Sequence, residues 1–268
     1  VLELPATPIP EIEEFDQKFN TRQRIWEIRQ TFEESKKKWY YDNFKEQDAV
    51  EITTLVKERE TELIKTKAKF RDTKDEVLEA AIAEVKSVSK YSALISALGN
   101  KSMQEKHWVK VWGLVEGQPS TLLNFTFYQL LQQGIDQHFD RVEEISAFAG
   151  GEASILKTIS EIRALWDETN FVCRGYRDTK DRFFITEIDD LITQLEDHQM
   201  TVQTSMGSKY VAEIRDEVEV WEKKLGYISD VIDEWLVFQK SWMYLENIFN
   251  AEDIQKQLPN EAKQFQGV

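Results

Sequence analysis

The amino-acid sequence predicts a mainly α-helical fold, an elongated helical bundle with one small β-hairpin. Glycine and proline are scarce, with ten and five copies in 268 residues, so long tracts contain no helix breaker. Apolar residues recur along these tracts at intervals of three and four, which is typical of amphipathic helices. One segment, at about 171–185, departs from this interval and predicts the hairpin.

The first hundred residues predict helices that follow a short leader. Residues 1–12 carry three prolines and predict an extended leader, with helix beginning soon after Glu11. Between Ile52 and Phe70 the apolar residues follow an imperfect heptad in which two of six positions are polar. This pattern favours an amphipathic helix packed on a neighbouring helix over a coiled coil.

Several short motifs predict where helices end and begin. Gly99-Asn100 predicts a stop, since both residues tolerate the left-handed conformation, and Ser102 with Glu105 predicts a capping box. Gly117-Gln118-Pro119 predicts a further helix end, and Thr126 and Asp136 predict helix starts. Gly150-Gly151 predicts a break between two helices.

The hairpin prediction rests on two short runs of aromatic and β-branched residues, Phe171–Cys173 and Phe183–Ile185, on either side of a polar turn. Because isolated hairpins are marginal in water, we expect this one to rest on helices. Helix is predicted to restart at Thr186-x-x-Asp189, and a last long helix is predicted over Tyr210–Phe249. Such a helix would be about 60 Å long.

Composition and charge exclude several classes of partner. The chain has 49 acidic and 34 basic residues, a formal net charge of −15, which opposes binding to nucleic acid and to acidic membrane surfaces. Hydrophobic residues make up 41% of the sequence, enough for a sizeable core. We therefore expect a folded chain with no nucleic-acid partner and no membrane partner.

Cysteine usage and the chain's start suggest an intracellular, soluble protein. Cys173 is the sole cysteine, so no intrachain disulfide can form. No signal-peptide pattern and no apolar run of about 20 residues occurs. The sequence begins at Val1 without methionine, which suggests a segment of a larger protein.

Residues that could perform chemistry are scattered along the sequence. His107, His138 and His198 lack a second histidine or cysteine at metal-ligand spacing. The pair Asp189-Asp190 is explained by the dipole of a helix start, and Cys173 is expected to be a small buried residue. No glycine pair is followed by the lysine of a nucleotide loop. The sequence therefore predicts no catalytic residue, no metal site and no cofactor site in this segment.

The most informative stretch is Trp235–Pro259, in which Trp235, Trp242, Leu245 and Phe249 share one helical face. Such a stripe predicts buried helical core. We expect the large aromatic residues to act as structural anchors. The expected anchors are Trp108, Trp166, Trp221, Trp235, Trp242 and Phe249.

This stretch reads WL-x-x-Q-x-x-W-x-YLE-x-IF and then DI-x-x-QLP-x-EAK-x-F. It resembles the linker region of dynein heavy chains, the microtubule motor ATPases, and above all their axonemal branch. Lys106-His107-Trp108, Leu123–Thr126 and Ser208-x-Tyr210 fall in the family's order, as do Trp166, Asp190-Leu191, Val218, Trp221 and Lys224-Leu225. One departure is Tyr91–Ile95, which lacks a proline common in the family and puts a local helix break in doubt.

The resemblance implies a function that the residues alone do not. It implies the N-terminal part of an arched linker that lies across the AAA+ ring and joins it to the tail, with residues 1–98 leading from the tail and 99–268 forming half of the linker. ATP and magnesium would belong to the parent ring. The implied partners are that ring, intermediate or light chains and neighbouring heavy chains, within the cytoplasm and cytoskeleton of a cilium or flagellum. The acidic charge predicts no direct microtubule contact.

Two alternatives remain open from the sequence. A spectrin-like scaffold would also be helical and acidic, but its tryptophans should repeat at a period of roughly a hundred residues, which those of this chain do not. An accessory subunit that binds a partner helix in a groove would show an exposed apolar channel.

Overall fold

The computed structural model describes residues 10–70, 75–116, 124–177, 179 and 181–268. The described chain is mainly α-helical with a two-stranded antiparallel hairpin, which confirms the predicted fold class. It divides into two compact units, Val1–Gly150 and Gly151–Val268. The boundary predicted at 98/99 concerns the join of a tail to a linker in a longer chain, and it stays a prediction.

The first unit is a bundle of helices of unequal length. α1 packs on α3, and α2 packs on both α3 and α4. Two 3-10 turns, Phe44–Glu46 and Ile135–His138, link the longer elements. The helices of this unit are α1 (Pro10–Tyr41), α2 (Ala49–Lys67), α3 (Glu76–Ser89), α4 (Ser92–Leu98), α5 (Glu105–Trp112), α6 (Phe127–Gln132) and the first part of α7 (Phe139–Glu168).

Side-chain caps start three of these helices. Asp48 accepts hydrogen bonds from the first backbone N–H groups of α2, and Asp75 does the same for α3. At α6 the Thr126 hydroxyl accepts from Gln129 N–H while the Gln129 side chain accepts from Thr126 N–H. This reciprocal pair is a capping box, and it confirms the helix start predicted at Thr126.

The structure confirms some of the predicted helix ends and starts and contradicts others. α4 ends before Gly99 as predicted, but Gly99 has φ −81°, and a Cβ there would lie 2.1 Å from the Cβ of Ala49. Glycine is therefore required by close packing and not by a left-handed turn. The capping box predicted at Ser102 is wrong because α5 begins at Glu105, where Gln104 N–H donates to Nδ1 of His107 at 3.0 Å. The doubtful break near Tyr91 is present without a proline.

The break predicted at Gly150-Gly151 is also wrong, since α7 runs unbroken through both residues. A Cβ at Gly151 would lie 2.3 Å from the ring of Tyr210. The glycine thus admits a neighbouring ring to the helix surface and does not end the helix. The start predicted at Asp136 falls in a 3-10 turn just before α7.

The core of the first unit is centred on stacked aromatic rings. Phe44 lies between Phe125 and Phe127, with ring centroids 6.2 and 5.7 Å away, and Trp108 lies 4.7 Å from Phe125. The backbone N–H of Phe44 donates to the carbonyl of Phe125 at 2.8 Å. The imperfect heptad forms the buried face of α2, an amphipathic helix within this bundle.

The second unit combines the end of α7 with four more helices and the hairpin. Strands β1 and β2 pair antiparallel, with Val172 opposite Thr186 and Gly175 opposite Phe183. This confirms the hairpin predicted at about 171–185. The elements are β1 (Val172–Gly175), β2 (Phe183–Thr186), α8 (Asp189–Met206), a 3-10 turn (Lys209–Val211), α9 (Arg215–Phe249), α10 (Glu252–Gln257) and α11 (Pro259–Gln266).

α8 and α9 form the main helix pair of this unit. The long helix begins five residues later than predicted, because Tyr210 lies in the 3-10 turn. Its 35 residues correspond to about 52 Å. Its buried side chains include Val218, Leu225 and Ile232, which join Leu195 and Val202 of α8 in one core.

Some predictions concern residues that are not described. These are most of the proline-containing leader, the helix end at Gly117–Pro119 and two positions of the hairpin turn, Asp178 and Lys180.

Candidate interaction surface

The hairpin is fastened to the middle of α9 by a single glutamine. Gln239 Oε1 accepts from the N–H of Ile185 at 2.8 Å, and its Nε2 donates to the carbonyl of Ile185 at 3.0 Å. Ile185 lies in β2, opposite Cys173 of β1. The glutamine side chain thus pairs with the backbone as a third strand would, which satisfies two groups of an edge strand.

A buried carboxylate, Glu246, joins the hairpin turn to the last part of α9. Its side chain is 6% exposed and lies 3.1 Å from Nη1 of Arg177 and 3.9 Å from Nη1 of Arg182. The Tyr176 hydroxyl donates to its Oε2 at 3.2 Å. Pairing with the arginines and these hydrogen bonds offset the cost of burying the charge.

Tyr176 is held in this cluster by burial and by its bond to Glu246. Burial raises the pKa of its hydroxyl, and the hydrogen bond and negative charge of Glu246 raise it further. Both causes favour the protonated hydroxyl, which is the form that donates to the carboxylate.

The aromatic rings at the end of α9 contact α11. Phe265 stacks on Trp242 and Phe249, with centroids 5.8 and 5.1 Å away. Tyr176 meets Trp242 edge to face at 5.4 Å, and the guanidinium of Arg182 lies 5.4 Å from the centroid of that ring. A cavity of about 430 Å³ opens between these residues and the hairpin.

Upstream of this cluster the same helical face is uncovered. Trp235 is 49% exposed and Phe238 is 50% exposed. Leu245, which lies between Trp242 and Phe249, is 37% exposed. The stripe predicted as core is therefore only half-buried at Trp242 and Phe249, where Phe265 covers it. The prediction that Trp235 and Leu245 are core is wrong, because both side chains are exposed.

The predicted anchors occupy different environments. Trp108 is buried in the first unit, and Trp221 is buried in the second. Trp166, Trp242 and Phe249 are half-buried. An anchoring role for each stays a prediction.

The structure places the histidine, aspartate and cysteine residues that the sequence analysis considered for chemistry. Nε1 of Trp166 donates to Nδ1 of His198 at 2.9 Å, and burial lowers the pKa of that imidazole. Asp189 and Asp190 lie in the first turn of α8, as predicted. Cys173 is exposed on β1, so the prediction that it is buried is wrong. Gln239 and Glu246 belong to the motif quoted above, but no role was predicted for them from the sequence. Their signal was a polar side chain within an apolar helical tract.

No helix among the described residues is long and apolar enough to cross a bilayer. The second unit is thus a helical module with a hairpin fastened to its long helix and an exposed aromatic face.

Comparison with known proteins gives the family. Residues 12–268 match the family described as dynein heavy chain, N-terminal region 2. Human dynein axonemal heavy chain 2 is 30% identical over the whole chain, human axonemal heavy chain 6 is 33% identical over 68% of it, and rat axonemal heavy chain 12 is 27% identical over 98% of it. The chain belongs to the dynein heavy chain family, which confirms the resemblance and its axonemal branch.

The chain spans 4–9% of the length of these three relatives. Membership of this family sets aside the spectrin-like and accessory-subunit alternatives.

Proposed function

We propose that this chain is a non-catalytic mechanical linker of a dynein motor, which transmits ATP-driven changes of the AAA+ ring to the tail during the power stroke. The observation that carries the proposal is α9, an unbroken helix of 35 residues fastened along its length to other elements. α8 packs on its first half, and Gln239 and Glu246 hold the hairpin to its second half.

This construction suits force transmission. Bending a helix strains its backbone hydrogen bonds and its packed contacts together, and Gln239 and Glu246 add polar contacts between α9 and the hairpin. The family supports the parent function, and axonemal relatives support a place in the axoneme of a cilium or flagellum. The partners under this proposal are the ring of the same heavy chain, intermediate or light chains, and neighbouring heavy chains.

The test is an insertion of Gly-Gly between Ile228 and Ile232 in an intact heavy chain. Each glycine costs about 1 kcal/mol of helix stability, and two added residues rotate everything beyond them by about 200°. The contacts of Gln239 and Glu246 with the hairpin should then be lost. We expect microtubule gliding velocity to fall much more than basal ATP turnover in the same preparation.

A matched control distinguishes the effect of rotating the downstream face of α9 from the effect of inserting residues at that point. Seven alanine-rich residues at the same point lengthen α9 by two turns but return the downstream face to within about 20° of its position. We expect this variant to glide faster than the Gly-Gly variant. A folded Gly-Gly variant with unchanged gliding would refute the lever role of α9.

A further inference from the structure

α9 carries two apolar faces. The first contains Trp221, Leu225 and Ile232 and lies in the core shared with α8. The second follows alternating intervals of four and three residues, which keeps its members on one side of the helix. Its members are Val231, Trp235, Phe238, Trp242, Leu245 and Phe249.

Only one end of the second face is covered. α11 places Phe265 on Trp242 and Phe249, whereas Val231, Trp235 and Phe238 are each exposed by about half. These three side chains, here called the bare stripe, lie beside a shallow depression of about 540 Å³. A helix that carries two apolar faces is typical of an element placed between two partners.

The charges that line the shallow depression beside the bare stripe are negative, whereas the opposite side of the stripe carries charges of both signs. Asp230 and Glu234 line the same depression, and the sequence from Gly226 to Gln239 contains no lysine or arginine. Neither carboxylate forms an ion pair with any residue in the described part of the chain. On the other side of the stripe, the cavity is bordered by Asp181 and Arg182.

We propose that the bare stripe docks an amphipathic helix of a partner polypeptide, with apolar residues at intervals of three and four and with lysine or arginine beside them. A helix laid along an apolar stripe is a recurrent recognition mode, and basic flanks would pair with Asp230 and Glu234. A second copy of this chain fits poorly, because pairing two such stripes brings their carboxylates together. A contact built on three half-exposed side chains fits a weak, transient complex.

This proposal goes beyond the mechanical role and is tested separately. Two labelled synthetic helices share one apolar stripe, and they differ only in flanks of lysine or of glutamate. We expect the whole chain to bind the lysine peptide at least tenfold more tightly in low salt by fluorescence anisotropy. The preference should shrink as salt screens the flanking charges.

Substitutions test whether the peptide binds at the bare stripe. Trp235→Ser with Phe238→Ser should weaken the lysine peptide at least tenfold, whereas Val50→Ser, at an exposed position of α2, should not. Asp230→Lys with Glu234→Lys should reverse the preference between the two peptides. Glu58→Lys with Glu143→Lys, which makes the same change in net charge at exposed positions of the first unit, should leave the preference in place.

Four results would overturn the proposal. Equal binding of the two peptides would show that the flanking charges play no part in recognition. An unchanged preference after the swap at Asp230 and Glu234 would show attraction by net charge alone. Self-association that sedimentation detects and Trp235→Ser abolishes would assign the stripe to a second copy. Loss of peptide binding in a longer heavy-chain fragment would assign it to the same polypeptide. If the serine variant fails to fold, the charge swap, which touches no core residue, still decides.

Discussion

At the residue scale, the tryptophans of α9 show that similar positions in a pattern do not have similar burial. Trp221 is 9% exposed and Trp235 is 49% exposed, although both lie at apolar intervals of one helix. Trp242 is half-buried, between Tyr176 and Phe265. The three tryptophans differ in whether another element packs against the side chain. The helical period of the sequence does not indicate this packing.

We expect alanine substitutions to follow this order. Trp221→Ala should lower the free energy of unfolding by about 3–5 kcal/mol, since it empties a buried site. Trp242→Ala should cost roughly half as much, and Trp235→Ala less than about 1 kcal/mol. Urea denaturation of the three variants measures the series. A loss for Trp235 as large as that for Trp221 would mean that the bare stripe is covered in solution.

His198 gives a prediction that depends on pH. Its pKa in the folded chain is lowered by burial, so between its ordinary value of about 6.5 and the lower folded value the unfolded state binds more protons. Stability should therefore fall as pH drops below about 6.5 and be insensitive to this group above it.

His198→Gln tests that dependence, because a glutamine oxygen can accept from Trp166 without titrating. We expect the difference in stability between wild type and variant to change with pH between about 7 and 5.5, as measured by denaturation at each pH. Met200→Gln, at an exposed position of the same helix, adds no titrating group, so it is the control and should leave the slope unchanged. A constant difference across this range would mean that the imidazole titrates alike in both states.

At the element scale, two helical glycines differ in whether the space beside the Cα is occupied by a neighbouring side chain. Gly151 in α7 approaches the ring of Tyr210, so that a Cβ would lie 2.3 Å from it. Gly226 in α9 has no heavy atom within 4 Å of a built Cβ. The sequence predicts a helix break at Gly150-Gly151 and gives no sign that Gly151 faces a ring while Gly226 faces open space.

The same substitution should therefore have opposite effects. Gly226→Ala should stabilise the chain by about 1 kcal/mol through helix propensity. Gly151→Ala should destabilise it, because the ring of Tyr210 must move away. Thermal unfolding of both variants decides, and stabilisation by Gly151→Ala would show that Tyr210 does not pack on α7 in solution.

At the scale of the whole molecule, family membership concerns a motor ATPase, while this segment is proposed to lack catalysis. No lysine of a phosphate-binding loop follows its glycine pairs. We expect the chain alone to show no saturable ATP binding by calorimetry at micromolar concentration, with or without magnesium. Saturable binding would contradict the non-catalytic assignment.

The sequence by itself determined the fold class, the hairpin and the family, because these depend on the local spacing of apolar residues and on the residue identities within motifs. The antiparallel pairing at 172–175 and 183–186 follows from two β-prone runs and a polar turn. The alternating apolar spacing of α2 and α9 follows from the helical period.

Only the tertiary structure decided which face of α9 is buried, why Gly99 and Gly151 are glycines, and what Gln239 and Glu246 do. Each depends on residues distant in sequence: Ala49 opposite Gly99, Tyr210 opposite Gly151, Ile185 opposite Gln239 and Tyr176 opposite Glu246. A sequence pattern records the period of one element. It does not record which other element packs against a given face. That packing decides whether an apolar side chain is part of the core or of an uncovered docking surface.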